Sequence, residues 1–336
     1  MFTHYIQYLG SVFMGWGLGA NDSANVFGTA VSSRMVNYRL AIVLTAAFVI
    51  LGAVMDGDAG IRTLSKDLRN DTAFDSTATK ADPDKAHRKA LKAAIVISFA
   101  GAFAVVLLTI LKMPISTSQA VVGAIAGIAI LQHSLNIGSL LVIVACWVGT
   151  PIGAMFFTFI FYFIFRTLIR KIKPSVFIYD PVMSILLIVC GCYGAYALGA
   201  NNVANVAAIF VGHGMLTVEE AKIFGGITIA IGVLTYAKPV MMTVGKSIVK
   251  LDAFSALICV LSQAVTVHCY AIIGVPVSTT QAVVGAVVGI GIIKGGQTIN
   301  YKTLSYIWIG WLATPVAGAL IAVFFYFLAN LYYIPE

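Results

Sequence analysis

The residues with chemical potential in this chain sit in four polar phrases. Gly19-Ala20-Asn21-Asp22-Ser23-Ala24-Asn25-Val26 returns as Gly199-Ala200-Asn201-Asn202-Val203-Ala204-Asn205-Val206. Pro114-Ile115-Ser116-Thr117-Ser118-Gln119-Ala120-Val121-Val122-Gly123-Ala124 returns as Pro276-Val277-Ser278-Thr279-Thr280-Gln281-Ala282-Val283-Val284-Gly285-Ala286. All four are embedded in long apolar runs, where amides, hydroxyls and carboxylates are expensive and mark a pathway or a binding site. The duplication predicts a site built from two halves.

The Pro-Ser-Thr phrases predict helix starts inside the membrane. Proline suits the first helical position because its missing N–H would be unpaired there. Ser116, Thr117 and Ser118, with Ser278, Thr279 and Thr280, would bring hydroxyls and free backbone N–H groups to those starts. Two helix N-termini facing one cavity present converging positive dipole ends, which makes an anion site. Gln119 and Gln281 add an amide each. Capping or back-bonding within a helix is the competing explanation. Agreement of the two copies at nine of eleven positions weighs against it.

The Asn-rich phrases supply acceptors. Gly19 and Gly199 permit the chain to leave helical geometry, and an unwound turn would expose carbonyl oxygens to a small hard cation. Side-chain oxygens of Asn21, Asp22, Asn25, Asn201, Asn202 and Asn205 would complete a sodium shell. Asp22 is the one acid placed inside an apolar run; the other acids fall in loops, at segment ends or at the C-terminus. A carboxylate there is either neutral or holds a cation. The motifs contain no Lys or Arg, so sodium would offset the charge of a bound anion and couple the two flows. Helix capping alone is again the bland alternative.

These phrases need a membrane scaffold to position them. The chain has 336 residues, 60% hydrophobic and 10% charged, with mean hydropathy +0.96, against about a quarter charged in soluble domains. The runs reach the length of a bilayer crossing and lack a period of two, which predicts an all-α polytopic membrane protein of about 10–12 segments. The first run lacks a basic leader or cleavage site and reads as mature sequence. Five segments at about 4–34, 38–55, 91–113, 114–131 and 138–165 are followed by five at about 181–213, 220–243, 254–275, 276–293 and 303–333. Trp147-Val148-Gly149-Thr150-Pro151 matches Trp311-Leu312-Ala313-Thr314-Pro315 in the fifth of each.

The expected organisation is therefore a first repeat over 1–165 with a polar extramembrane loop at about 56–90, a basic cytoplasmic linker at 166–180, and a second repeat over 181–336. An odd number of crossings per half inverts the second repeat, with broken or re-entrant helices at the motifs. Arg34, Arg39, Arg166, Arg170, Lys171, Lys173, Lys246, Lys250, Lys294 and Lys302 place both termini outside the cytoplasm. The loop 56–92 opposes this with eight basic residues, but it carries seven Asp and is long.

Other features carry less. Net charge +8 reflects membrane topology rather than nucleic acid, because the basic residues lie between apolar runs. Cys146, Cys190, Cys192, Cys259 and Cys269 lie in apolar runs and read as small filler. His268 reads as a packed polar residue rather than a proton relay. No pattern supports catalysis, so the chain is expected to be neither an enzyme nor dependent on a cofactor.

At these residues the chain resembles the inorganic phosphate transporter (PiT) family of sodium- or proton-coupled permeases. A GANDVANA-type phrase in each half, followed by a proline-led Ser/Thr phrase, is that family's hallmark; here they are 19–26 and 199–206, then 114–119 and 276–281. The resemblance covers nearly the whole chain. It implies inverted repeats, termini outside, and symport of phosphate with a cation in a cell membrane, the inner membrane in a bacterium. Carried over by position, Asp22, Asn25 and Asn205 belong to the phosphate–cation region with both Ser/Thr phrases. Asn202 stands where the family often has Asp, Gln119 and Gln281 where many members have His, and Val49 where many carry Glu. Losing these protonatable groups favours sodium as the coupled ion. The expectation is a sodium-coupled phosphate symporter working by alternating access; proton coupling, sulfate as substrate, or an anion channel are the alternatives. Phosphate, sodium and the lipid bilayer are the expected partners, and homo-oligomerisation is left open.

Overall fold

The computed structural model describes residues 7–32, 34–68, 83–110, 116–247, 251–296 and 301–332. The apolar runs become helices α1 (Leu9–Ser32), α2 (Tyr38–Asp56), α4 (Pro83–Ile110), α5 (Thr117–Leu131) and α6 (Ile137–Ile172) in the first half. The second half has α7 (Val176–Gly212), α8 (Val218–Ser247), α9 (Ala253–Ile272), α10 (Thr279–Ile293) and α11 (Tyr301–Tyr332). Between α2 and α4 lie a short α3 (Asp58–Arg62) and a π-turn (Thr63–Asp67). There is no strand among the described residues. Among the described residues, five helices are long and apolar enough to cross a membrane: Tyr38–Asp56, Ile137–Ile172, Phe177–Gly212, Ala253–Ile272 and Leu304–Leu331.

Polar side chains fix where the helices begin. Asn37, Ser116, Asn136, Asp252 and Ser278 each cap a helix by accepting from a backbone N–H two or three residues on. At α8, Thr217 and Glu220 form a reciprocal capping box: Thr217 N donates to Glu220 Oε2 at 2.8 Å and Glu220 N to Thr217 Oγ1 at 3.2 Å.

The helices pack in exchanged pairs. α1 packs on α8 as α7 packs on α2, and α5 on α11 as α10 on α6. Likewise α4 meets α11 as α9 meets α6, and α4 pairs with α5 as α9 pairs with α10. Contacts that recur when the halves are exchanged are what an internal two-fold relation produces. The pattern is consistent with inverted repeats.

Glycines make these crossings possible, which changes the reading of Gly19 and Gly199. α1 and α7 run unbroken through the Asn-rich phrases. The two glycines do not unwind the chain. A Cβ at Gly19 would overlap the Ile229 carbonyl and one at Gly199 the Val49 carbonyl, while Gly232 and Gly52 meet the Trp16 and Tyr196 carbonyls in return. Absence of a side chain is used for close helix approach, the membrane rule for small residues, and backbone carbonyls inside the helix are not free for a cation. Gly123 against the Pro315 carbonyl and Gly285 against the Pro151 carbonyl repeat the device at the second pair of crossings. Gly285→Leu is expected to prevent α10 from seating on α6. Detergent-solubilised variant should aggregate on size exclusion where the parent elutes as one species.

Other differences follow from local chemistry. Within the polar loop expected at about 56–90, Ile61, Leu64 and Leu68 are buried in the core, and α4 begins at Pro83. The basic linker expected at 166–180 is mostly helical, with only 173–175 outside α6 and α7. Pro276 is not the first residue of α10; Ser278 is the cap, and Pro276 and Val277 precede it. Pro114, Ile115 and Lys250 lie outside the described residues. Met35, Tyr38, Ile169, Tyr179, Leu251 and Ala253 share one core cluster, which gathers the basic residues Arg34, Arg39, Arg170, Lys171 and Lys173 at one end of the bundle. Tyr8, Leu131, Met215 and Leu216 share another cluster, placing the start of α1 apart from them.

Candidate functional site

The two hairpins, α4–α5 and α9–α10, bring the capped starts of α5 and α10 against the middle of α1 and α7. Ser116 takes extended backbone (φ −116°, ψ 112°) and its Oγ accepts from Gln119 N at 3.3 Å; Ser278 (φ −90°, ψ 119°) accepts from Gln281 N at 3.3 Å. A residue in extended conformation just before a helix is the geometry an N-cap requires. Of the hydroxyls expected at these helix starts, Ser116 and Ser278 are spent on capping, and Thr117, Ser118, Thr279 and Thr280 remain for other contacts.

Asp22 is the centre of the polar network. It is 2% exposed, and its carboxylate accepts from Asn21 Nδ2 at 3.0 Å, Thr117 Oγ1 at 3.1 Å and Asn202 Nδ2 at 3.4 Å. No cationic side chain reaches it: the ion pairs of the described residues join Asp58 to Arg62 and Lys222, Glu219 to Lys222, Asp56 to His268, and Asp252 to Lys294. Three neutral donors are poor compensation for burying a full charge.

The asparagines stitch the halves together. Asn25 Nδ2 donates to Thr279 Oγ1 at 3.2 Å and Thr280 Oγ1 at 3.3 Å; in the exchanged sense Asn205 Nδ2 donates to Ser118 Oγ at 2.8 Å. Asn205 Nδ2 also reaches Asn202 Oδ1 at 3.0 Å. Asn201 is engaged differently from the ligand role its sequence position predicts. Its Nδ2 donates to the Val277 carbonyl at 2.8 Å and its Oδ1 accepts from Val277 N at 3.0 Å, so one amide side chain pairs both polar groups of that peptide. Ser118 Oγ donates to the same carbonyl at 2.9 Å. The tip of the α9–α10 hairpin is clipped to α7 and α5 by these bonds.

Three amide oxygens of the network are left over. Gln119 Oε1, Gln281 Oε1 and Asn205 Oδ1 are buried and have no hydrogen-bond partner among the described residues. Buried carbonyl-type oxygens without a donor are uncommon and point to a ligand or water. The predicted site residues fall in two hydrogen-bonded groups: Asn21, Asp22, Asn201, Asn202 and Asn205 with Thr117 and Ser118, and Asn25 with Thr279 and Thr280.

Sequence reasoning missed some participants. The Val277 peptide and Gln263, whose Nε2 donates to the Asn25 carbonyl at 2.8 Å, have no periodic signal that would single them out. His268 is packed, as expected, but it is also hydrogen-bonded to Asp56 and Tyr193. Asp56 sits at a segment end in sequence and only the fold turns it toward a histidine.

A helical bundle of membrane-crossing length, folded as two alike halves around a buried polar centre that holds an unpaired carboxylate, defines a multi-pass membrane transporter. The chain belongs to the phosphate transporter family, whose model matches residues 18–322. It is a transporter, not an enzyme. It is 29% identical to the sulfate permease CysP of Bacillus subtilis over 323 residues, 94% of this chain and 86% of that one. It is also 29% identical to a candidate phosphate permease of Methanocaldococcus jannaschii over 307 residues, 90% of each chain. A solved structure described as the sodium-dependent phosphate transporter superposes with a TM-score of 0.83 at 25% identity, covering 99% of this chain and all of that one.

Proposed function

We propose that the protein is a sodium-coupled symporter of inorganic phosphate. The observation that carries this reading is the pairing of two capped helix starts with a buried, uncompensated Asp22 and unpartnered amide oxygens in one region. Helix starts attract an anion. The carboxylate and amide oxygens attract a cation, and sodium favours oxygen ligands of this kind. Each ion lowers the cost of the other, so neither binds well alone.

Residue roles follow from place in the network. Thr117, Ser118, Thr279 and Thr280, with Ser116, Ser278, Asn25 and Asn205, form the phosphate cradle. Asp22, with the oxygens of Asn21, Asn25, Asn202 and Asn205, supplies the sodium ligands. Because α1 and α7 stay helical, those ligands come from side chains rather than an unwound backbone. Asn201 positions the hairpin. Gln119 and Gln281 accept from a protonated oxygen of the anion. This last role favours phosphate over sulfate: phosphate near neutral pH keeps at least one O–H to donate, whereas sulfate has none and would face these acceptors unpaired. The solved relative is described as a sodium-dependent phosphate transporter, which supports the same assignment. The basic end of the bundle faces the cytoplasm, which leaves both termini outside.

Competition tests the substrate. A hundredfold excess of sulfate is expected to leave the initial rate of radiolabelled phosphate uptake into proteoliposomes within about twofold of its uncompeted value. Inhibition to background would assign sulfate instead. Alternating access requires the hairpin contacts to break and re-form between the halves. The exchanged bonds Asn25–Thr280 and Asn205–Ser118 are the ones placed to do so.

A further inference from the structure

A second cluster of titratable side chains lies apart from the Asn-rich phrases. Tyr193 and Tyr196 stand about one turn apart on α7, His268 lies near the end of α9, and Asp56 closes α2. The Tyr193 hydroxyl is 2.8 Å from His268 Nδ1, and His268 Nε2 is 3.0 Å from Asp56 Oδ2. Tyr196 donates to the same carboxylate oxygen at 2.5 Å. Both tyrosine rings meet the imidazole edge-on.

The other half shows that the fold does not require this network. Exchanging the halves by the 180-residue offset of the Asn-rich phrases carries Tyr193, Tyr196 and Asp56 onto Phe13, Trp16 and Tyr236. Those three rings form an aromatic stack, with centroids 6.0 Å apart for Phe13–Trp16 and 5.5 Å for Trp16–Tyr236. Aromatic packing suffices there, so an acid and a histidine in the equivalent place call for a reason beyond packing.

We propose that Asp56 and His268 form a proton-binding site that sets the rate of transport according to pH. When His268 is neutral, its Nε2–H donates to Asp56 and Nδ1 accepts from the Tyr193 hydroxyl. When it takes a proton, both ring nitrogens donate, Tyr193 turns its oxygen toward Nδ1–H, and no heavy atom has to move. What changes is the bond to Asp56, from a neutral hydrogen bond to an ion pair, which is stronger outside bulk water. Side-chain exposures of 17% for His268 and 38% for Asp56 leave the pair only partly buried.

The pair lies where such a change is felt. α2 belongs to the first half and α9 to the second, and from His268 the chain runs through the short segment 273–278 to the Ser278 cap. That segment leans on α3: a Cβ at Gly274 would come within 2.9 Å of the Ala59 carbonyl oxygen. Protonation therefore fastens the hairpin tip to the first half, and deprotonation loosens it. Other titratable groups on neighbouring elements are otherwise engaged or distant in the fold. Asp58 of α3 pairs with Arg62 and Lys222, Lys294 after α10 pairs with Asp252, and Asp22 of α1 bonds Thr117. Cys146 of α6 and Tyr270 pack against the same core cluster, and Cys269 follows His268 in the chain. Only histidine among these titrates between pH 5 and 8 in ordinary surroundings.

The proposal rests on the transport reading, and the test separates the two. Phosphate uptake is measured from pH 5.5 to 8.5 at saturating sodium for the parent and for His268→Gln, whose amide can donate to Asp56 but cannot carry a proton. Taking the ratio of the two rates cancels the titration of phosphate itself. The parent is expected to be about fivefold slower than His268→Gln at pH 5.5 and equal to it at pH 8.5. A ratio flat across the range overturns the proposal, whereas no uptake by either protein at any pH overturns the transport reading. Thermal unfolding of the purified proteins gives a second readout independent of transport. An imidazolium–carboxylate pair is present only while the ring holds its proton, so the parent should exceed His268→Gln in melting temperature at pH 5.5 but not at 8.5. An equal difference at both pH values contradicts the site. Should His268→Gln fail to fold, Tyr193→Phe takes its place: removal of the hydroxyl at Nδ1 should move the parent pH profile of uptake, and an unmoved profile overturns the proposal.

Discussion

Asp22→Asn is expected to raise the sodium concentration for half-maximal phosphate uptake at least about tenfold, equivalent to about 1.4 kcal/mol of cation binding. The half-saturating phosphate concentration at saturating sodium should change by less than about threefold. The reason is the direction of the surrounding hydrogen bonds. Asn21, Thr117 and Asn202 all donate to this carboxylate, and no Lys or Arg among the described residues pairs with it. Removing the charge removes the strongest attraction for sodium but leaves the helix starts at Ser116 and Ser278 untouched. The new amide also points N–H groups at one of three donors, which disfavours compact packing around it. Paired sodium and phosphate titrations of uptake check this. Equal loss toward both ions would refute the division of roles, and so would unchanged sodium dependence.

Asn201→Ala should be nearly as damaging by a different route. The wild-type side chain satisfies both the N–H and the C=O of Val277, at 3.0 and 2.8 Å, inside a region sealed from solvent. Alanine leaves the N–H unpaired and the carbonyl held only by Ser118. An unsatisfied buried backbone group costs about 1–3 kcal/mol. The hairpin tip should loosen, lowering the melting temperature and cutting the maximal rate at least about tenfold, equivalent to about 1.4 kcal/mol of barrier. Sodium affinity, read as the half-saturating concentration, should change less than in Asp22→Asn. If Asn201→Ala instead reproduced the selective sodium defect, Asn201 would be a cation ligand after all.

These two residues show how far sequence alone reaches. The apolar runs, their count and the pairing of the phrases were legible because membrane helices must satisfy their backbones within one segment, which leaves long uninterrupted patterns. The convergence of the four phrases was legible from duplication. What each polar atom does was not. Asn21 and Asn201 occupy equivalent places in the repeats, yet only the hairpin's path over α7 shows that Asn201 spends its amide on Val277. The glycines of the Asn-rich phrases were misread because a glycine that frees a backbone and one that admits a neighbouring backbone look the same in sequence. Here Ile229 and Val49, far along the chain, decide between them. Asp56 and His268 are 212 positions apart, and no local pattern connects them.

The two copies of the site are alike in scaffold and unlike in charge. Asp22 has Asn202 as its counterpart, and the tyrosine–histidine–aspartate network has an aromatic stack as its counterpart. Both asymmetries place a carboxylate on only one of two equivalent positions. A transporter that rocks one half against the other can bind its anion symmetrically while taking its cation on one side.

Concentrative uptake into proteoliposomes tests the central claim most directly. With equal phosphate on both sides and no pH difference, an inward sodium gradient is expected to drive phosphate to a higher concentration inside than out, and potassium in place of sodium should abolish it. Equilibration of phosphate without accumulation, or accumulation indifferent to sodium, would contradict the account.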